Sequence, residues 1–270
     1  MEPTILFNHI PKTGGTTLRI IFNKVYGKDR VYLIKSTDIG SSFREFESFD
    51  RKTRDRYSVI SGHGAEMFSE FIENPFKISI FREPVSLFLS QFHFLRVSPG
   101  SDFYDDVRYM STPDEYLEYA RKKGQDNLLT RYFSDSMQFL IKNQLSVPDL
   151  EMEGENLLAK AKENLKAYDA LLDLSRFDRG VYALADKLNW EDVPVYRPSN
   201  ITRKKENSFQ MTGGFHQKLR HVLRFDIALY EYFIKNDLEI SNMAQDGLNL
   251  SLFLLRQKGV NYLARILGKK

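Results

Sequence analysis

The sequence contains no cysteine, and its 270 residues include only five histidines, nine prolines and 15 glycines. Without cysteine the protein can form no disulfide, thiolate nucleophile, iron–sulfur cluster or cysteine-based zinc site. The histidines show neither HExxH nor any paired spacing of metal ligands, so we expect no bound metal. The low glycine and proline content, together with 21 Phe and 14 Tyr, indicates a folded globular chain rather than a disordered or fibrous one.

A long apolar segment is also missing from the N-terminus, which reads MEPTILFNHIPKTGG. It is unlike a secretory signal or a membrane-spanning helix of about 20 apolar residues, so we expect a cytoplasmic protein without a transmembrane segment. The net charge of +3 is too small to indicate nucleic-acid binding, although a basic cluster could bind a small anion. The amphipathic segment 248–267 predicts a helix that packs on the domain or on a partner, with a membrane-surface helix as the alternative.

Strand and helix patterns alternate along the first third of the chain. Predicted strands at residues 4–8, 57–61 and 77–81 accompany predicted helices at 16–26 and 84–95. Later segments are mostly helical, with one late strand at 170–174 and long helices at 215–234 and 248–267. This order predicts an α/β fold: a P-loop-like parallel β-sheet flanked by helices, a largely helical C-terminal half, and a single domain.

Each of the three early strands is followed by residues that can bind anions or move protons. These residues lie at 9–17, 62–66 and 82–90. In a parallel sheet the carboxyl ends of the strands line a common crevice, so we expect the three segments to meet.

The first of these segments contains the turn PKTGGTT. Two glycines allow a close backbone approach, the free amides at a helix start favour an anion, and Lys12 adds a positive charge. The Lys precedes the glycines, so the turn does not match the nucleotide-hydrolase pattern GxxxxGK[ST]. A glycine turn with a solvated Lys is the alternative.

A second anion site is predicted where the third strand ends, because the Arg82 guanidinium suits bidentate phosphate contact. Ser90, two helical turns later, offers a hydroxyl donor. A surface ion pair between Arg82 and Glu83 is the alternative.

Together these segments resemble a known family. FNHIPKTGGTT is similar to the 5′-phosphosulfate loop of the carbohydrate sulfotransferases related to heparan sulfate 2-O- and 6-O-sulfotransferases. FREPVSLFLSQFHF resembles their 3′-phosphate segment, with Arg82, Pro84 and Ser90 in the matching places. Weaker similarity covers residues 127–131, 226–230 and the late basic loop at 197–204.

The resemblance implies transfer of a sulfuryl group from 3′-phosphoadenosine-5′-phosphosulfate (PAPS) to an acceptor hydroxyl, leaving adenosine 3′,5′-bisphosphate (PAP). It assigns the 3′-phosphate to Arg82 and Ser90 and a covering role to Arg203 and Lys204. The residues it assigns to the 5′-phosphosulfate are Pro11, Lys12, Thr13, Gly14, Gly15, Thr16 and Thr17. Lys12 would also be catalytic, because it stabilises charge on the leaving group.

His63 matches the catalytic base of the 2-O-sulfotransferase branch, with Glu66 as the alternative base, and no metal is needed. The acceptor implied is a saccharide or glycoconjugate. Within the single domain, the resemblance places nucleotide motifs in residues 1–100, a helical acceptor side in 101–170, and the late strand, basic loop and C-terminal helices in 171–270. An ATP-dependent small-molecule kinase and a non-catalytic nucleotide- or glycan-binding module on the same fold are the alternative functions.

Overall fold

The computed structural model describes residues 3–136, 148–199, 213–244 and 247–267. In this part of the chain the strands are β1 (Ile5–Asn8), β2 (Val31–Leu33), β3 (Val59–Gly62), β4 (Phe76–Phe81) and β5 (Ala170–Asp173). They form one parallel sheet in the order β2-β3-β1-β4-β5. The predicted parallel sheet is therefore confirmed, with β2 as an additional edge strand.

Helices cover both faces of this sheet. The α-helices of the described residues are α1 (Gly15–Val25), α2 (Ile39–Ser48), α3 (Arg51–Arg54), α4 (Pro84–Val97), α5 (Tyr104–Val107), α6 (Pro113–Lys123), α7 (Leu128–Phe133), α8 (Leu150–Leu165), α9 (Phe177–Lys187), α10 (Gly213–Val222), α11 (Arg224–Lys235) and α12 (Leu248–Leu267). Short 3₁₀ turns lie at Lys28–Arg30, Ala65–Phe71, Leu174–Arg176 and Ile240–Met243. None of the helices in these ranges has both the length and the apolar character needed to cross a membrane.

Alternation along the strands divides the core between the two faces, because successive side chains point to opposite sides. Ile5 and Phe7 of β1 pack in one cluster with residues of α1, α9 and α12. Leu6, between them, packs on the other face with Phe46 and Phe68. The same second face continues under β4 and β5, where α7, α8 and α11 supply the apolar side chains. A single domain results.

The central position of β1 brings the predicted segments together. Asn8, the last residue of β1, pairs with Gly62 on one side and Ser79 on the other. The chain that follows β1 is therefore flanked by the chain that leaves β3 and the chain that leaves β4. In such folds a ligand crevice is expected here, at the carboxyl ends of the parallel strands.

The long helix predicted at 215–234 is wrong in one respect, because it is divided at Leu223 into α10 and α11. The Asn127 side chain donates to the Val222 carbonyl oxygen (2.8 Å) and accepts from the Asp226 N–H (3.1 Å). The Asp226 carboxylate accepts in turn from the N–H groups of Leu129 and Thr130. The two weakly similar segments, 127–131 and 226–230, thus cap each other's helices.

Candidate active site

The turn after β1 has a conformation that depends on two glycines for different reasons. Gly14 has φ 95°, in the left-handed region that favours glycine. A Cβ on Gly15 would lie 2.0 Å from Cδ2 of His9, so the His9 ring occupies the space that a side chain would need. Lys12 also has a positive φ, 65°, a conformation that costs a non-glycine residue about 1–3 kcal/mol and is concentrated at functional sites.

Helix α1 begins directly behind this turn. Its N-cap, Gly14, has no side chain that could bond the first backbone N–H groups, and no acidic residue lies in the first turn. The first amides of a helix have no intrahelical partner and carry the positive end of the helix dipole. The start of α1 is therefore suited to an anion such as a phosphate or sulfate.

Arg82 and Lys12 lie side by side at the ends of β4 and β1. Arg82 Nη1 donates to the Lys12 carbonyl oxygen (2.8 Å), which helps to hold Lys12 in its left-handed conformation. The Lys12 ammonium lies 4.1 Å from the ring centroid of Phe94. Among the described residues, neither cation has a carboxylate within ion-pair distance. Burial and the neighbouring Arg82 charge lower the pKa of Lys12, a penalty that a bound anion would offset.

A pair of stacked histidines lies at the adjacent ends of β1 and β3. The rings of His9 and His63 stack with centroids 4.8 Å apart, and Phe7 stacks on His9. His63 Nδ1 lies 2.5 Å from the His9 carbonyl oxygen. A carbonyl oxygen can only accept, so Nδ1 carries the proton and Nε2 is left as a lone-pair acceptor. This is the tautomer that a general base requires.

Burial favours the neutral state of both histidines. Burial lowers the pKa of His63 below its ordinary value of 6.5, and the nearby Arg19 charge lowers it further, while the bond to the His9 carbonyl opposes the change. Burial lowers the pKa of His9 well below 6.5, and the neighbouring His63 imidazole and the charges of Arg19 and Lys12 lower it further. A neutral imidazole at position 63 can take a proton near neutral pH.

One cavity of about 810 Å³ unites these groups. Ten of the residues that line it come from the three predicted segments and their flanks: His9, Pro11, Lys12, Gly14, Gly15, Thr16, Thr17, His63, Arg82 and Ser90. The structure thus brings together most of the side chains that the sequence singled out, and Phe94 joins them from α4. The described residues hold no cluster of three or more His, Asp or Glu side chains arranged to bind a metal ion.

Two of the singled-out positions lie elsewhere or have another role. Thr13 is fully buried, and its hydroxyl donates to the Ile10 carbonyl oxygen (2.9 Å), so its side chain shapes the turn from within. Glu66 lines a separate cavity of about 230 Å³, where its carboxylate pairs with Lys77 Nζ at 3.0 Å. That geometry does not support Glu66 as an alternative base. Arg203 and Lys204 lie outside the described residues.

Of the far wall of the cavity, the sequence indicated only the late basic loop, which supplies Pro198 and Ser199. This wall comprises residues 174–179, Tyr196, Pro198 and Ser199, together with Leu254 and Asn261 of α12. The wall joins the β1 turn where the Ser199 N–H donates to Thr17 Oγ1 (3.0 Å). The apolar periodicity of residues 248–267 predicted the helix α12, but it did not indicate that this helix would line the cavity.

Comparison with models of protein families gives a match over most of the chain. The model of the sulfotransferase family matches residues 2–233. This chain belongs to the sulfotransferase family. It is therefore an enzyme of sulfuryl transfer, with a sulfuryl donor and an acceptor as its substrates.

No curated protein matches the chain. A solved structure that is similar to it is the crystal structure of mouse sulfotransferase SULT7A1 complexed with PAP. The two are 14% identical, the match covers 93% of this chain and 73% of that chain, and the TM-score is 0.40.

Proposed function

We propose that this sulfotransferase moves the sulfuryl group of PAPS to a saccharide hydroxyl, with His63 as general base. The observation that carries the proposal is the convergence of Lys12, His63 and Arg82 on one cavity. Two cations to which the described residues offer no carboxylate partner, a helix start and a neutral imidazole suit a strongly anionic donor and a hydroxyl that must lose its proton.

The chemical step follows from these positions. The acceptor hydroxyl oxygen attacks the sulfur and forms the new O–S bond, while the bond between sulfur and the bridging phosphosulfate oxygen breaks. The hydroxyl proton passes to His63 Nε2. Negative charge grows on the bridging oxygen as PAP leaves, and Lys12 with the amides at the start of α1 stabilises it. The products are the sulfate ester and PAP.

The donor's other end would lie against Arg82 and Ser90. Both side chains line the cavity, and Ser90 lies on α4, whose first turn is fixed by Pro84 and by the Glu83 carboxylate at the N-cap. A guanidinium and a hydroxyl there suit a 3′-phosphate, the group that distinguishes PAPS from ATP. Arg203 and Lys204 would cover the same nucleotide.

The acceptor would approach from the His63 side. Tyr132 of α7 packs edge-on against the His63 ring, with centroids 6.3 Å apart, so the 101–170 region contacts the back of the proposed base. Phe94 presents a ring beside Lys12, whereas Phe92, two residues earlier on α4, is buried against Tyr116 and belongs to the core. The saccharide class rests on the motif resemblance.

Transfer of labelled sulfate from PAPS to a panel of saccharides, glycolipids and small alcohols tests this function. We expect label in a saccharide, in the absence of added metal, and none with the His63→Ala variant. If label appeared only in a non-saccharide alcohol, the proposed saccharide acceptor would be wrong, whereas PAPS would remain the donor. Absence of transfer to every acceptor, together with no binding of PAP, would contradict the proposal as a whole.

A further inference from the structure

Helix α12 lies beyond the family match, which ends at residue 233, yet it forms part of the cavity. Leu254 and Asn261 line the cavity, and Gln257 between them is fully buried. Spacings of three and four residues place these side chains on one face of the helix. This face of α12 therefore contributes to the cavity wall as well as to the core.

The hydrogen bonds of Gln257 fix the orientation of its amide. Gln257 Oε1 accepts from the Tyr196 N–H (3.1 Å), and Gln257 Nε2 donates to the Tyr196 carbonyl oxygen (2.8 Å). A backbone N–H can only donate and a carbonyl can only accept, so the amide has a single orientation that satisfies both. Gln257 also holds the backbone just before the segment that carries Arg203 and Lys204.

This orientation determines what Asn261 can offer to a ligand. Gln257 Nε2 also donates to Asn261 Oδ1 (3.2 Å). The Asn261 amide oxygen is thus engaged inside the protein, and the Nδ2 hydrogens are left as donors at the cavity wall. A ligand group opposite Asn261 should therefore be a hydrogen-bond acceptor.

Asn261 shares its cavity with the apolar side chains of Leu174, Phe177, Pro198 and Leu254. Charged side chains of the 174–179 stretch also line this cavity, and each is engaged within the chain. Arg176 Nη1 donates to the Glu239 carboxylate (2.9 Å) and to the Asn242 side chain (2.7 Å). Arg179 donates to the carbonyl oxygens of Ser241 and Ala244, and the Asp178 carboxylate accepts from the Tyr196 hydroxyl. Apolar side chains, one amide donor and charges that are already engaged suit a flat heteroaromatic ring better than a phosphate.

We propose that Leu254 and Asn261 of α12 bind the adenine base of the donor nucleotide, with Asn261 Nδ2 donating to a purine ring nitrogen. Purine N7 and N3 are acceptors, as this position requires. The wall is continuous with the phosphate turn through the Ser199–Thr17 bond, as one nucleotide spanning both would need. This inference rests on the proposed function, because it takes PAPS as the donor.

Calorimetric titration with two ligands tests the proposal: PAP, and ribose 3,5-bisphosphate, which carries the same phosphates without the base. We expect Asn261→Ala and Leu254→Ala each to weaken PAP binding about 5- to 10-fold and to leave the affinity for ribose bisphosphate unchanged. The matched control is Leu255→Ala, because Leu255 is the next residue on α12 and is 67% exposed. It should bind both ligands as the wild type does.

Equal weakening of both ligands by Asn261→Ala would overturn the proposal, because it would indicate a general structural role for α12. Unchanged PAP affinity in both variants, or an increase only in the KM of the acceptor, would overturn it as well. Failure of the wild-type protein to bind PAP would instead reject the proposed function on which the inference rests. The two failures are therefore distinguishable.

Discussion

Buried and half-buried cations occur in two different settings in this protein. Arg131 is 2% exposed, and its guanidinium donates to the Asp126 carboxylate (2.8 Å), the Asp126 carbonyl (2.9 Å) and the Pro148 carbonyl (3.0 Å). Arg82 donates to one carbonyl, that of Lys12, and the Lys12 ammonium faces an aromatic ring. Arg131 is satisfied within the chain, whereas the cavity cations have no carboxylate partner among the described residues.

This difference distinguishes charges that stabilise the fold from charges that are available to a ligand. A charge withdrawn from water is costly unless it is paired, so a cavity cation without a carboxylate partner among the described residues favours an anion from outside. Lys77, paired with Glu66 at 3.0 Å, falls into the same class as Arg131. The two classes should therefore respond differently to substitution.

Removal of the proposed base should have the largest effect. His63→Ala should lower kcat by about 10²- to 10⁴-fold, the usual contribution of a general base, and leave PAP affinity nearly unchanged. Steady-state kinetics and calorimetry measure the two quantities, and His221→Ala, which removes an exposed histidine, is the control. Wild-type activity in His63→Ala would remove His63 from the mechanism.

Substitution of the satisfied cation should affect folding. Arg131→Met leaves the Asp126 carboxylate buried without its partner, so the free energy of unfolding should fall by about 3–5 kcal/mol. Urea denaturation measures this change. Arg121→Met is the matched control, because the ion pairs of Arg121 with Glu118 and Glu151 are exposed and are worth at most about 1 kcal/mol. Equal decreases in the free energy of unfolding of the two variants would contradict the structural role assigned to Arg131.

Substitution of the unpaired cation should affect catalysis and leave folding intact. Lys12→Ala should lower kcat by about 10²- to 10³-fold, the loss typical of a removed donor to the developing charge, with no decrease in the free energy of unfolding. Lys122→Ala, at an exposed position, is the control. A Lys12→Ala protein that unfolds readily and retains its kcat per folded molecule would place Lys12 in the structural class.

A smaller effect concerns pH. A base is active when unprotonated, and burial lowers the pKa of His63 below 6.5. Activity should therefore rise with pH to a plateau, with the midpoint of the acid limb below pH 6.5. The profile of kcat/KM against pH measures it, and an acid-limb midpoint above 6.5 would contradict the neutral state assigned to His63.

Local signals made much of the site predictable. The β1–turn–α1 unit has a strand, a glycine turn and an apolar-periodic helix within 21 residues of sequence (5–25), and Pro84 marks the start of α4. Parallel pairing then requires the three segments to meet. The sequence could therefore predict both the sheet and the convergence of Lys12, His63 and Arg82.

The remaining features depend on contacts between distant segments. The edge strand β2 is three residues long, too short to give a periodic pattern. The division at Leu223 depends on Asn127, almost a hundred residues earlier. Glu66 could be placed only once Lys77 was seen beside it. Asn261 gains its role through Gln257 and Tyr196, which a sequence pattern does not bring together.

We propose that the cavity cations, which have no carboxylate partner among the described residues, bind a nucleotide that carries a 3′-phosphate. Thermal unfolding with PAP, or with ATP and Mg²⁺, tests it most directly. A ligand at 100 times its Kd adds about 2.7 kcal/mol of stability, so PAP should raise the melting temperature clearly and ATP with Mg²⁺ should not. A larger increase with ATP and Mg²⁺ than with PAP would contradict the claim.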